Sequence, residues 1–272
     1  MKVVYRLLMA VLLGVFLFSG WKVVTLSMEY LKSGESYAEL EHYVSLQTLP
    51  SATNSQDVAE ESESWESAAS TPENLPETVP AEEPVLWPMV NFDALAEINP
   101  DIAGWIYLPD SKINYPIVWR DNEFYLDHLF TGEYNAGGCI FLDERCFSDF
   151  SDTHSILYGH HMKDGSMFAG IRKFRDQAYY DAHPTAMLVT PEGNFWVHFF
   201  SGYVASTDQS AWKRTFSEGE YWSWLDEITR KSYFRADIAP TVDDRVLTLS
   251  TCSYEFDDAR FVLHGVIVEA EP

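Results

Sequence analysis

Three polar residues stand at the ends of apolar, strand-like runs. His160 follows Ile156-Leu157-Tyr158-Gly159, Cys252 follows Leu247-Thr248-Leu249-Ser250-Thr251, and Arg260 opens Phe261-Val262-Leu263. Together these types can break and remake an amide: a thiolate attacks the carbonyl, a guanidinium holds the developing oxyanion, and an imidazolium protonates the departing amine. Arginine keeps its charge throughout. Seven residues separate Cys252 from Arg260, so an antiparallel hairpin would bring both to one rim. Gly159 is expected to permit a backbone turn that aims the imidazole outward. The thioester such a site forms can be resolved by water or by an amine, and the residues alone do not choose between them. Singly, each residue has an ordinary reading, the cysteine as a small buried group and the others as structural residues. His154, His161, His183, His198 and His264 lack a comparable setting and read as surface or satisfied core residues. No Cys or His spacing suggests zinc and no Gly-rich loop suggests a nucleotide, so neither metal nor cofactor is expected.

The elements that must position these residues are mostly short strands. Trp105 to Leu108 and Tyr115 to Trp119 flank a Pro109-Asp110 turn; Gly138 to Leu142, His154 to Tyr158, Ala186 to Thr190 and Phe195 to Ala205 follow, with Pro191-Glu192-Gly193-Asn194 as a hairpin turn. Val246 to Thr251 and Phe261 to Val268 complete the set, which predicts an antiparallel barrel or sandwich. Asn91 is placed to cap a short helix carrying Phe92, Leu95 and Ile98, ended by Pro100. Ser217 and Glu220 form a capping box ahead of Tyr221, Trp224, Leu225 and Ile228, whose helical spacing predicts a face packed on the barrel.

Before this domain the chain changes character. Lys2 and Arg6 precede an apolar run from Leu7 to Trp21, closed by Lys22, which suits a signal peptide or a short membrane anchor. Phe18 and Trp21 crowd the Ser19-Gly20 pair, so no clean cleavage site follows and an uncleaved anchor is expected, its positive end in the cytoplasm. Ser36-Tyr37-Ala38-Glu39 reads as a second capping box, opening a juxtamembrane helix. Ser51 to Pro84, rich in Ser, Glu, Pro and Ala, cannot offset its ordering entropy by burial and is expected to be a disordered spacer. The expected division is therefore an anchor over 1–32, a juxtamembrane helix and acidic spacer over 33–88, and one catalytic domain over 89–272. The formal charge is -24, with sixteen Asp and Glu and no Lys or Arg between Lys32 and Lys112; such a chain is repelled by phosphate backbones, which argues against a nucleic-acid partner. Three cysteines exclude a disulfide-rich scaffold, while Cys139 and Cys146 could pair across a short loop.

The context of the three polar residues is distinctive. Thr248-Leu249-Ser250-Thr251-Cys252 matches the sortase signature TLxTC, Arg260 resembles the family's essential arginine, and Tyr158-Gly159-His160-His161-Met162-Lys163-Asp164-Gly165-Ser166-Met167-Phe168 resembles the class B histidine segment. The resemblance runs from about Asn91 to Glu269, includes Asn99-Pro100-Asp101 and Gly104-Trp105-Ile106, and matches the class B helical insertion at Ser217 to Lys231. It implies a mainly β fold: an eight-stranded sortase-type barrel with a short N-terminal helix and a helix inserted between late strands. It also implies a cysteine transpeptidase with Cys252, His160 and Arg260 as catalytic residues. Asn122, Leu126 and Ser250 would contact the sorting peptide, and the segment from Ser206 to Trp212 would border the same groove. Implied partners are secreted proteins with a C-terminal sorting motif and a peptidoglycan or pilin amine, met on the outer face of the membrane. Cys139, Cys146 and the long acidic spacer depart from the family pattern. Two other readings compete: a cell-wall cysteine peptidase that hydrolyses its thioester, and a non-catalytic adhesin. A papain-like enzyme places Cys before His, and a caspase-like one expects Gln-Ala-Cys, neither of which occurs here.

Overall fold

The computed structural model describes residues 2–48, 86–207 and 210–270. A long helix, α1 (Lys2–Leu40), leads through a 3-10 turn at Glu41–Tyr43 into β1 (Val44–Thr48), which pairs antiparallel with β2 (Leu86–Val90). The short helix α2 (Phe92–Ile98) follows, and Asn91 caps it by accepting from the Ala94 amide at 3.1 Å, an interaction worth about 1 kcal/mol.

Eight strands then close a barrel: β3 (Ile102–Tyr107), β4 (Asn114–Trp119), β5 (Ile140–Leu142), β6 (His154–Tyr158), β7 (Thr185–Val189), β8 (Asn194–Ser206), β9 (Arg245–Cys252) and β10 (Ala259–Glu269). Their order around the barrel is β10-β8-β7-β3-β4-β5-β6-β9, with β9 returning to β10. All pairs are antiparallel except β4 with β5 and β6 with β9. Each strand foreseen from alternation and turn residues is present, with ends shifted by a few residues. The β7–β8 hairpin closes through Thr190, whose amide donates to the Gly193 carbonyl at 2.9 Å. Two further elements, a 3-10 stretch at Phe168–Arg175 and α3 (Gln177–Ala182), connect β6 to β7.

The insertion between β8 and β9 carries α4 (Glu220–Arg230). Tyr221, Trp224, Leu225 and Ile228 pack on Phe200, Val246, Val262 and Val266 from the outer wall, so the aromatic stripe is a packing face, as its spacing predicted. Burying each of these large side chains stabilises the fold by roughly 1.5–3 kcal/mol. Because α4 covers that wall, β9 is buried on both sides over most of its length. The Ser217–Glu220 box forms hydrogen bonds, but the helix begins at Glu220 with left-handed Gly219 as its cap.

The N-terminal region differs from expectation in two respects. Ser36 does not open a helix, because α1 passes through it without a break to Leu40. A lone glycine at position 34 costs only about 1 kcal/mol, too little to stop so long a helix. Tyr37 and Leu40 on its last turns join the core of the barrel domain. The expected spacer, 51–84, lies outside the described residues, but its flanks form β1 and β2, with Thr48 the partner of Leu86. A candidate membrane span begins at Val4, and the apolar window within it, of mean hydropathy 2.2, has none of its residues buried. Cys139 and Cys146 are both buried and unpaired.

Candidate active site

The register of β9 against β10 sets Cys252 opposite Arg260. Beside them, β6 runs parallel to β9 with Tyr158 opposite Ser250. Beyond its last ladder pair the Gly159 amide donates to the Ser250 carbonyl at 3.1 Å, and the Thr251 hydroxyl donates to the Gly159 carbonyl at 2.7 Å. These bonds hold Gly159-His160 against Thr251-Cys252, so three segments distant in sequence end at one rim.

Gly159 is needed for a reason other than the one foreseen. Its φ is not among the left-handed ones. A Cβ there would lie 2.4 Å from Ile140 Cδ1 and 2.7 Å from Phe168 Cδ2, so the residue is small to let β6 pass close beneath these side chains.

A cavity of about 410 Å³ opens at this rim. His160, Cys252 and Arg260 line it, and so do Asn122, Leu126 and Ser250. The structure thus brings all six sequence-predicted residues to one cavity. Cys252 and Arg260 are partly exposed. His160 Nε2 lies 2.6 Å from the Leu126 carbonyl oxygen. A carbonyl only accepts, so Nε2 carries a proton, and Nδ1 is the nitrogen left to gain or lose one. Asn122 Oδ1 accepts from the Glu144 amide at 2.9 Å, which leaves its amide nitrogen as a donor.

Phe141, Tyr158, Thr207 and Trp212 also line it and were not assigned individually from sequence. Trp212 Nε1 donates to Ser250 Oγ at 3.2 Å, which ties the segment after β8 to the strand bearing Cys252. Position 208 and 209 of that segment lie outside the described residues. The Tyr158 hydroxyl donates to buried Asp143 at 3.0 Å, and Arg145 grips the same carboxylate through Nε and Nη2 at 2.8 and 2.7 Å. Burial would raise the Asp143 pKa, but Arg145 outweighs it and holds the carboxyl below its usual range. Only the parity of Tyr158 with His160, two residues on, could have marked it from sequence.

The turn joining β9 to β10 is fastened from outside. The Ser253 amide donates to the Ala259 carbonyl at 2.9 Å, and Glu255 accepts from Ser253, from Arg175 and, at 3.0 Å, from Arg172. Partial burial opposes ionisation of Glu255, but Ser253 and Arg175 pull its pKa down to about 2. Arg260 makes no ion pair among the described residues; its Nη1 donates to the Ala259 carbonyl at 3.0 Å.

Behind the site, His154 and His264 are buried. Thr248 Oγ1 bridges His154 Nε2 at 2.6 Å and His264 Nδ1 at 2.7 Å, and His154 Nδ1 meets the Lys213 carbonyl at 2.6 Å. Burial pushes His154 down to about 4 and His264 well below the ordinary imidazole value, so both are neutral core groups. Among the described residues no group of His, Cys, Asp and Glu could hold a metal ion.

No family model matches the chain. The sortase B of Listeria monocytogenes serovar 1/2a is 32% identical over 262 residues, covering 95% of this chain and 94% of that protein. The sortase B of Staphylococcus aureus is 34% identical over 182 residues, covering 65% of this chain and 75% of that protein. Among solved structures, sortase B from Bacillus anthracis in complex with AAEK1 superposes with a TM-score of 0.69 at 29% identity, covering 90% of this chain and all (100%) of that one. The S. aureus sortase B–substrate complex gives 0.63 at 33% identity, covering 66% and 85%.

Proposed function

The chain belongs to the sortase B family of cysteine transpeptidases, and on that premise we propose that Cys252, His160 and Arg260 carry out its reaction. The observation that carries this reading is the pairing of Cys252 with Arg260, beside the Gly159–His160 end of β6, around a single cavity.

In this reading the Cys252 thiolate attacks the carbonyl carbon of the scissile amide in a sorting motif, forming a C–S bond. The oxyanion is held by the Arg260 guanidinium. As the C–N bond breaks, the imidazolium of His160 gives its Nδ1 proton to the leaving amine. The acyl group remains on Cys252 as a thioester. An acceptor amine then attacks that carbonyl and gives a proton to neutral His160, and the C–S bond breaks to restore the thiolate. Asn122, Leu126 and Ser250 contact the peptide. Arg260 is suited to the oxyanion because it makes no ion pair among the described residues.

Substrates are secreted proteins with a C-terminal sorting motif, a reading supported by the S. aureus substrate complex. The acceptor is an amine of peptidoglycan or of a pilin subunit. Residues 1–32 form the membrane anchor, with Lys2 and Arg6 on the cytoplasmic side and the barrel on the outer face, supported by the exposed apolar surface of α1.

The test is a peptide-library screen with the full chain in detergent, with and without a panel of amines. Cleavage with transfer to an amine is expected, together with a Cys252-linked acyl adduct by mass spectrometry that is absent in Cys252→Ala. Hydrolysed product alone with every amine would reject transpeptidation by this site, and full activity of Cys252→Ala would reject the assignment of the nucleophile.

A further inference from the structure

The last turns of α1 meet the barrel domain at several places, of which the turn formed by Asn135 to Gly138 is the one next to the site. Asn135 Nδ2 donates to the Glu29 carbonyl at 2.9 Å, while its Oδ1 accepts from the Gly137 amide at 2.8 Å. Ser33 Oγ would lie 2.8 Å from a Cβ placed on Gly137. The buried Tyr37 hydroxyl donates to the Gly138 carbonyl.

Gly138 in turn packs against the acid–base group. Its φ is +58°, and a Cβ there would lie 2.6 Å from the Tyr125 carbonyl oxygen, 2.7 Å from that of Leu126 and 3.1 Å from His160 Cδ2. The Cys139 amide donates to the Tyr125 carbonyl at 2.9 Å, so the turn also fixes the segment that presents the Leu126 carbonyl. That carbonyl is the partner of His160 Nε2. The path from α1 to the imidazole thus has one turn between them, and both of its links are contacts without room for slack.

We propose that Tyr37 is a positioning residue for His160: by fixing Gly138, α1 sets the Leu126 carbonyl and the imidazole plane, so the candidate anchor helix also completes the site. This rests on the reading of His160 as the acid–base group. Nδ1 must face the leaving amine, and its direction is set by the bond at Nε2. If the turn at Gly138 relaxes, the carbonyl and the ring move together and proton transfer loses its alignment. Of the peptide-contacting residues, Leu126 lies on that path and Asn122 and Ser250 do not, so the loss falls mainly on proton transfer.

The experiment compares the full chain with Tyr37→Phe, which keeps the ring and removes only the hydroxyl, and with Asn135→Asp, which keeps the bond to Gly137 and removes the donor to Glu29. Histidine-labelled protein is followed by the hydrogen-bonded imidazole N–H resonance of His160, assigned by its loss in His160→Ala. Turnover is measured on the library peptide selected by the unaltered chain, per Cys252 thiol titrated with iodoacetamide. The expected result is a resonance broadened by exchange with water in both variants, and kcat lower by about 10-fold, the scale of a small misplacement of a reacting group, with a smaller rise in KM from the shift of Leu126. An unaltered resonance with unaltered kcat per thiol would overturn the proposal, and so would a rise in KM alone. If the unaltered chain cleaves no library peptide, the transpeptidase reading fails, while the resonance still decides whether α1 holds His160.

Discussion

Arg260 and Cys252 face each other across a two-stranded ladder, and Arg260 makes no ion pair among the described residues. Removing the guanidinium by Arg260→Ala is expected to slow single-turnover acylation by about 10²–10³-fold, the loss seen for an oxyanion donor. His160→Ala is expected to cost about 10²–10⁴-fold through loss of proton transfer. Thermal melts of both variants should stay near that of the unaltered chain, since each side chain lies at a partly exposed rim. The meeting of these residues at one cavity was legible in the sequence because each stands where an apolar run ends. The place of Asp143 was not, since it takes its meaning from Tyr158, fifteen residues away; of Trp212 only its segment was foreseen at the groove, since its partner Ser250 lies thirty-eight residues away. No local pattern announces such a partner.

At the scale of elements, the strands were readable because half-buried and buried runs separated by Pro, Gly and Asp punctuate the domain plainly. Helix starts were less so, as α1 passes straight through the Ser36 box and α4 begins after Gly219. The requirement for Gly159 lies in its neighbours, Ile140 and Phe168, and could not be read from the dipeptide it forms with His160. Gly159→Ala should therefore destabilise the domain by about 1–3 kcal/mol through overpacking, measured by urea unfolding. The clamp on the β9–β10 turn gives a second expectation. Glu255→Gln weakens the hold of Arg172 and Arg175 while leaving every cavity-lining side chain in place, and should lower kcat by about 10-fold by loosening the hairpin that sets Cys252 against Arg260. Equal kcat in the two proteins would mean that the strand ladder alone fixes the pair.

For the molecule as a whole, the buried histidines make stability depend on acid. His154 titrates at about 4 in the folded chain against 6.5 for an ordinary imidazole, so the unfolded chain binds the extra proton between those values. The contribution of this group should be complete above pH 6.5, fall by roughly 3 kcal/mol as the pH drops to 4, and level off below it. His264 adds to the loss in the same direction. Urea midpoints measured across this range should show the slope, and His154→Gln should flatten it. The β1–β2 pair has a consequence of another kind. Thr48 and Leu86 are neighbours, so the acidic stretch between them departs from and returns to the same spot. The two ends of that stretch therefore meet, and with α1 as the proposed membrane anchor the height of the barrel above the lipid would follow the length of that helix, at 1.5 Å per residue; excising 51–84 is expected to leave that height as it was.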